Sequence, residues 1–163
     1  MRPPTSAVCW PPGSAASPRR ILPGVEVALT AESGGRQSVV LAADPISVGA
    51  ARAWLSSLSS GLIAGARQGN LELVISEVFT NAIRHGRGDV LLAATPKDGY
   101  LCVQVTDGGE GFVPRPRALS SGEHGGFGLF LVERLTRRWG MTRENGRTRV
   151  WFEFDYEEPP ACA

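Results

Sequence analysis

A two-layer α/β sandwich, with helices packed on one face of a mixed or antiparallel sheet, is the fold class this sequence predicts. Three observations carry it. Two helix-period segments come first, the second placing Leu71, Val74, Ile75, Val78, Phe79, Ala82 and Ile83 at i, +3, +4, +7, +8, +11 and +12. Strand-period segments then follow one another through turns of the Asp-Gly and Asn-Gly kind, which join neighbours antiparallel. One further helix interrupts them before a last hairpin. Strands in succession with their helices segregated make a sheet covered on one side.

The elements read in order as follows. Six of the 12 prolines fall at or before Pro23, mixed with Ser, Gly and Ala and without period. Such a stretch buries too little apolar surface to offset its ordering entropy, so 1–35 is expected to be a disordered tail. The folded unit is 36–156, and 157–163 is a frayed end. Ser38–Ala42 is a short β-branched run that reads as an edge strand. Asp44 and Pro45 form a helix start, with Asp as N-cap and Pro at the first helical position. Val48, Ala51, Leu55, Leu58 and Ile63 keep one face of that helix apolar, and Gly61, Gly65 and Gly69 break the pattern. The second helix runs from about Asn70 to His85 and stops at Gly86, a natural C′ residue. Strands at Asp89–Ala94 and Tyr100–Thr106 flank Asp98-Gly99. A helix over about Phe127–Arg138 follows, then Trp139–Arg143 and Arg147–Phe154 around Glu144-Asn145-Gly146.

The chain has 163 residues, 42% of them apolar and 20% charged, which suits one soluble domain with one core. Seventeen Lys and Arg balance 16 Asp and Glu, so a nucleic-acid binder relying on a broad basic face is disfavoured. No apolar run reaches the ~18–20 residues of a membrane span. The three cysteines have no metal-ligand or paired spacing and read as reduced thiols of a cytoplasmic protein.

Three segments could carry chemistry. Glu77, Asn81 and His85 recur every four residues and project beside the apolar stripe of the second helix. A carboxylate and a carboxamide at the rim of a core are costly to desolvate without partners; they are either a solvated flank or a site. Asp107-Gly108-Gly109-Glu110-Gly111-Phe112 comes directly off a strand end. Its glycines allow a sharp turn and close approach of a ligand, and an aspartate there can accept a hydrogen bond from an exocyclic amine. Gly125-Gly126-Phe127-Gly128-Leu129 opens the next helix, where unobstructed N–H groups make an anion site. Between the glycine clusters, Val113–His124 lacks periodicity and reads as a lid or a disordered loop.

In this order the three segments resemble the GHKL superfamily of ATP-binding domains, which includes gyrase, histidine kinases and anti-sigma factor kinases. Glu77 to His85 looks like its N box, Asp107 to Phe112 and Gly126 to Leu129 look like its two glycine boxes, and Thr148 sits where a late threonine reaches the nucleotide pocket. The resemblance covers about 38–155 and implies the Bergerat-type ATP-binding fold. Within the superfamily the Glu-x-x-Thr-Asn-Ala-x-x-His pattern of residues 77–85 is most similar to the bacterial anti-sigma factor serine/threonine kinases. That likeness implies Glu77 as general base, Asn81 as a ligand to Mg²⁺ on ATP, and Asp107 as reader of the adenine amine. It further implies Gly109 and Gly111 making room for the base and Gly126 and Gly128, with Leu129, cradling phosphates. The implied partners are a sigma factor and an anti-anti-sigma antagonist phosphorylated on Ser or Thr, and relatives pair as homodimers through a sheet edge and the first helix.

Neither histidine, His85 or His124, lies in an upstream helical segment of the kind that holds the phosphoacceptor of a sensor kinase. Two classes of function stand against each other: a protein serine/threonine kinase, and a non-catalytic ATP-binding module that sequesters a regulatory partner by docking. Glu77 could also polarise a water for simple ATP hydrolysis. His85 either contacts phosphate or caps the last helical turn.

Overall fold

The computed structural model describes residues 19–22, 25–27, 35–109 and 127–157, the first two stretches by their backbone. Two short strands, β1 (Arg19–Leu22) and β2 (Val25–Val27), pair antiparallel in a ribbon of their own; composition gave no reason to expect them. The main sheet holds β3 (Gln37–Leu41), β4 (Val90–Pro96), β5 (Tyr100–Asp107), β6 (Arg138–Glu144) and β7 (Arg147–Asp155). Their order is β3-β4-β5-β7-β6, and every pairing is antiparallel, the second of the two alternatives the turns allowed. Three helices, α1 (Ile46–Ser59), α2 (Ala66–His85) and α3 (Phe127–Leu135), make the other layer.

The core lies between the layers, where period 2 meets period 3.6. Val39 and Leu41, Val90, Leu92 and Ala94, Leu101, Val103 and Val105, and Val150, Phe152 and Phe154 all point to one face of the sheet. The stripe of α2 settles onto them with Leu71, Val74, Ile75, Val78, Phe79 and Ala82 buried. Each such large side chain contributes ~1.5–3 kcal/mol of transfer free energy before entropy is counted.

At the start of α1, Asp44 Oδ1 accepts a hydrogen bond from the Ile46 N–H at 2.8 Å, and Pro45 already has helical dihedrals. The helix stops at Ser59, so Ile63 is a core residue beyond its end. α2 begins four residues before the expected start and carries Gly69 inside it. Its first turn is held by Arg67, whose Nε and Nη2 donate to the Asp155 carbonyl at 3.1 and 2.7 Å while the guanidinium lies 4.5 Å over the Phe154 ring. α3 ends at Leu135 because Arg138 belongs to β6, donating to both carboxylate oxygens of Glu153 at 2.6 Å.

Part of the opposite face of the sheet is buried as well. Ser38, Ala93, Thr95, Cys102, Gln104, Thr106 and Glu153 are buried there, and β2 lies against β3. No described helix is long and apolar enough to cross a membrane.

Candidate functional site

One end of the groove between the layers is built by the last turn of α2 and the mouth of β5. Helix α2 closes with the Gly86 N–H donating to the Ala82 carbonyl at 2.8 Å. Gly86 has φ −86°, so a left-handed C′ conformation is not what selects it. A Cβ there would run into the Ala82 carbonyl and lie 2.6 Å from the Asp107 carboxyl carbon. Glycine lets the helix end press onto the aspartate. Gly109 does the same from the other side: its Cβ would meet the Gly86 Cα and the His85 carbonyl at 2.7 Å.

Asp107 is thereby only 4% exposed. Its Oδ1 accepts the Gly109 N–H at 2.8 Å, and the Gly108 N–H is spent on the Arg87 carbonyl at 3.0 Å. Burial holds the Asp107 carboxyl above the ordinary carboxylate range; the Gly109 N–H and the nearby His85 charge oppose that shift without cancelling it. Thr148, 1% exposed, pairs with Asp107 across the β5–β7 ladder and donates its hydroxyl to the Gly109 carbonyl at 2.8 Å. It therefore fixes the turn that follows Asp107. His85, the last residue of α2, is exposed.

The other end is formed by the middle of α2 and the start of α3. A Cβ on Gly128, the second residue of α3, would sit 2.5 Å from Glu77 Oε2, so the carboxylate lies directly against the first turn of that helix. The partial positive charge of a helix N-terminus favours an anion there. Glu77 and Asn81 are both half-buried, one turn apart on α2, with side chains neighbouring at about 5–6 Å between Cβ atoms. Leu129 is half-buried beside Gly128. From Glu77 to His85 the helix rises roughly 12 Å at 1.5 Å per residue.

The structure thus brings Glu77, Asn81, Gly128 and Leu129 together at one end and Asp107, Gly109 and Thr148 at the other. Gly111 and Gly126 lie outside the described residues, as does the stretch Val113–His124. Sequence reading missed the packing role of Gly86, which its place after the N-box histidine disguised as a helix stop. Among the described residues no three His, Cys, Asp or Glu side chains gather as a metal cluster.

The model of the histidine kinase-like ATPase domain family matches residues 41–154, which spans every element from the end of β3 into β7. No curated protein sequence matches. Among solved structures, the chain is similar to the RsbU and RsbW domains of Rv1364c from Mycobacterium tuberculosis, with TM-score 0.58 and 20% identity over 76% of this chain and 33% of that one. The chain spans about a third of that protein's length. The histidine kinase domain of a blue-light activated kinase from Erythrobacter litoralis EL346 gives TM-score 0.46 at 22% identity, over 78% of this chain and 71% of that one.

Proposed function

Because the chain belongs to the histidine kinase-like ATPase domain family, and membership implies ATP as its nucleotide, we propose that it is an anti-sigma factor-type serine/threonine kinase. In this reading ATP lies along α2, its adenine at Asp107 and its phosphates at the start of α3. The protein binds a sigma factor and phosphorylates an anti-anti-sigma antagonist. The observation that carries the reading is the Glu77 carboxylate set against Gly128, which puts a base where an anion-binding helix start opens.

The residues fit the substrate and its metal. Gly86 and Gly109 are positions where a Cβ would meet the protein's own backbone and the Asp107 carboxyl; they let the helix end and the turn close on Asp107 and hold it for the edge of a purine. Asp107 accepts the exocyclic amine. Asn81 would hold Mg²⁺ through its amide oxygen, and the metal would supply neutralisation of charge on the phosphates. The N–H groups of the first turn of α3 receive phosphate oxygens. Glu77 takes the proton of a serine or threonine hydroxyl as that oxygen bonds to the γ-phosphorus and the bond to the bridging oxygen of ADP breaks. Such transfers rest mainly on positioning and charge neutralisation, which are what two helices fixed to one sheet supply.

The mycobacterial protein of similar fold includes an RsbW domain, which agrees with this branch of the family. A carboxylate one helical turn from the metal-binding amide also has no use in a module that only docks. The test is phosphoryl transfer from labelled ATP to antagonist domains encoded near this chain's gene, with wild type and Glu77→Gln. The expected result is Ser or Thr phosphorylation by wild type, a loss of about 10²-fold or more in Glu77→Gln, and equal ATP affinity for both. Transfer by Glu77→Gln at the wild-type rate would remove the base; ATP binding without transfer by wild type would leave the docking module.

A further inference from the structure

On the sheet face turned away from the helices, the last strands enclose a cavity of about 200 Å³ lined by Thr106, Thr142, Glu144, Asn145, Arg147 and Arg149. The ladder explains why these residues meet. Thr106 pairs with Arg149, Arg149 with Thr142, and Glu144 with Arg147, so one cross-strand row and the closing pair of the β6–β7 hairpin share a side. Asn145, at φ 54°, is the turn residue of that hairpin and lines the cavity at its exposed side.

The electrostatics of this cavity are unbalanced. The Nε–H of Arg149 is buried and has no hydrogen-bond partner. On β6, Arg138 is matched with Glu153, while among the described residues neither Arg147 nor Arg149 has a carboxylate within ion-pair distance. Thr106 is 6% exposed and its Oγ accepts the Gln104 amide at 3.0 Å, which leaves its O–H to donate. Buried donors are normally satisfied, and one that is not has room for a water, an ion or a ligand to accept from it.

We propose that this cavity is a second ligand site, distinct from the nucleotide groove, for a dianionic phosphate: inorganic phosphate or a phosphate monoester. The donor set selects that class. A carboxylate presents two oxygens in one plane, and a single guanidinium serves both. Here a second guanidinium, two hydroxyls and the Asn145 amide are added against one carboxylate, the exposed Glu144 across from Arg147; the number of donors still matches three terminal oxygens better than two. The volume exceeds that of several waters at about 30 Å³ each, leaving room for the group that carries the phosphate. The pair Asp107 and Thr148 is the next rung of the same ladder and faces the helices, so the two sites stand back to back across one sheet.

The experiment is a titration of the full chain at constant ionic strength with inorganic phosphate, phenyl phosphate and acetate. It is read by NMR at the Arg149 Nε–H and, as a control for the helix start, at the Gly128 amide. A saturable shift of the Arg149 resonance by either phosphate is expected, weakening as pH falls through about 6, where the dianion takes up a proton. Arg149→Gln should lose about tenfold or more in affinity, as expected for charged hydrogen bonds, with its melting curve showing a folded protein. Thr142→Val, which keeps every charge, should lose severalfold and guards against a failure of Arg149→Gln to fold. Tighter binding of phenyl phosphate identifies an ester as the ligand, and equal binding identifies free phosphate. Acetate binding as tightly as phosphate, no saturable shift with any probe, or a shift at Gly128 alone overturns the proposal.

Discussion

Replacing Asp107 with Asn separates nucleotide reading from folding, because the two effects run in opposite directions. In the folded protein Oδ1 is occupied by the Gly109 N–H. An asparagine must keep its carbonyl oxygen there, so its NH₂ takes the place of the second carboxylate oxygen. An adenine amine would then meet a donor where it had met an acceptor, and the whole charged hydrogen bond is lost. At ~1.5–3 kcal/mol for such a bond, ATP affinity should fall roughly 10- to 150-fold. Guanine carries an oxygen where adenine carries its amine, so GTP should lose far less, and the ratio of ATP to GTP affinity should collapse. Stability should behave otherwise. The folded protein holds the Asp107 proton more tightly than the unfolded chain does, because burial raises the carboxyl above its ordinary value of 3.8. A raised folded value means stability is fully present below the unfolded value and declines as pH climbs through the folded one. Asn carries no such titration, so Asp107→Asn should flatten that decline and melt within a few degrees of wild type at neutral pH. Calorimetry with ATP and GTP, beside thermal melts from pH 4 to about 8, decides the matter. Unchanged ATP affinity would refute the adenine-reading role, and a large fall in melting temperature would refute the separation.

Further outcomes can be checked on the same material. Asn81→Ala should weaken ATP binding about tenfold or more in the presence of Mg²⁺ and little in its absence, as calorimetry with and without the metal would show. Gly86→Ala drives a methyl group into the Ala82 carbonyl and the Asp107 carboxyl. It should cost about 1–3 kcal/mol, seen as a melting temperature lower by several degrees. Arg138→Ala leaves the Glu153 carboxylate, 1% exposed, without its partner. Urea unfolding should show a loss of about 2–3 kcal/mol, and replacing Glu153 by Leu in the same background should return part of it.

The parts of the fold that the chain spells locally are those whose causes are local. The stripe of α2, the Asp44-Pro45 start of α1 and the Asn145-Gly146 turn depend on neighbours a few residues away, and all stand where periodicity and turn chemistry put them. The start of α2 does not, because Gly69 reads as a breaker until the Arg67 clamp on Asp155, 88 residues distant, pulls another turn into the helix. Nor does the buried part of the outer face. Gln104 and Thr106 alternate with the apolar residues of β5 as solvent-facing residues would, yet both are buried. At the site, Glu77 and Asp107 could be singled out by type and order. The contact of Glu77 with Gly128 and the pressing of Gly86 onto Asp107 are tertiary approaches, and no spacing encodes them.

The two ends of the groove are built to different tolerances, and this bears on what each can do. At the Asp107 end most of the groups around the aspartate are paired: Gly108 on Arg87, Gly109 on Asp107 Oδ1, Thr148 on Gly109, with the helix end packed against Asp107 and Gly109. Side chains there are buried and pinned, which suits recognition of a rigid base by fixed donors and acceptors. At the Glu77 end the side chains of Glu77, Asn81 and Leu129 are half-buried, and Phe130 is exposed. The Glu77 side chain runs along the first turn of α3, its Oε2 nearest to Gly128. Transfer to a protein hydroxyl needs a base that can adjust to an incoming side chain, whereas adenine needs a wall that cannot. One helix, α2, spans both ends, so whatever moves at the Glu77 end is measured from a reference that the Asp107 end holds still.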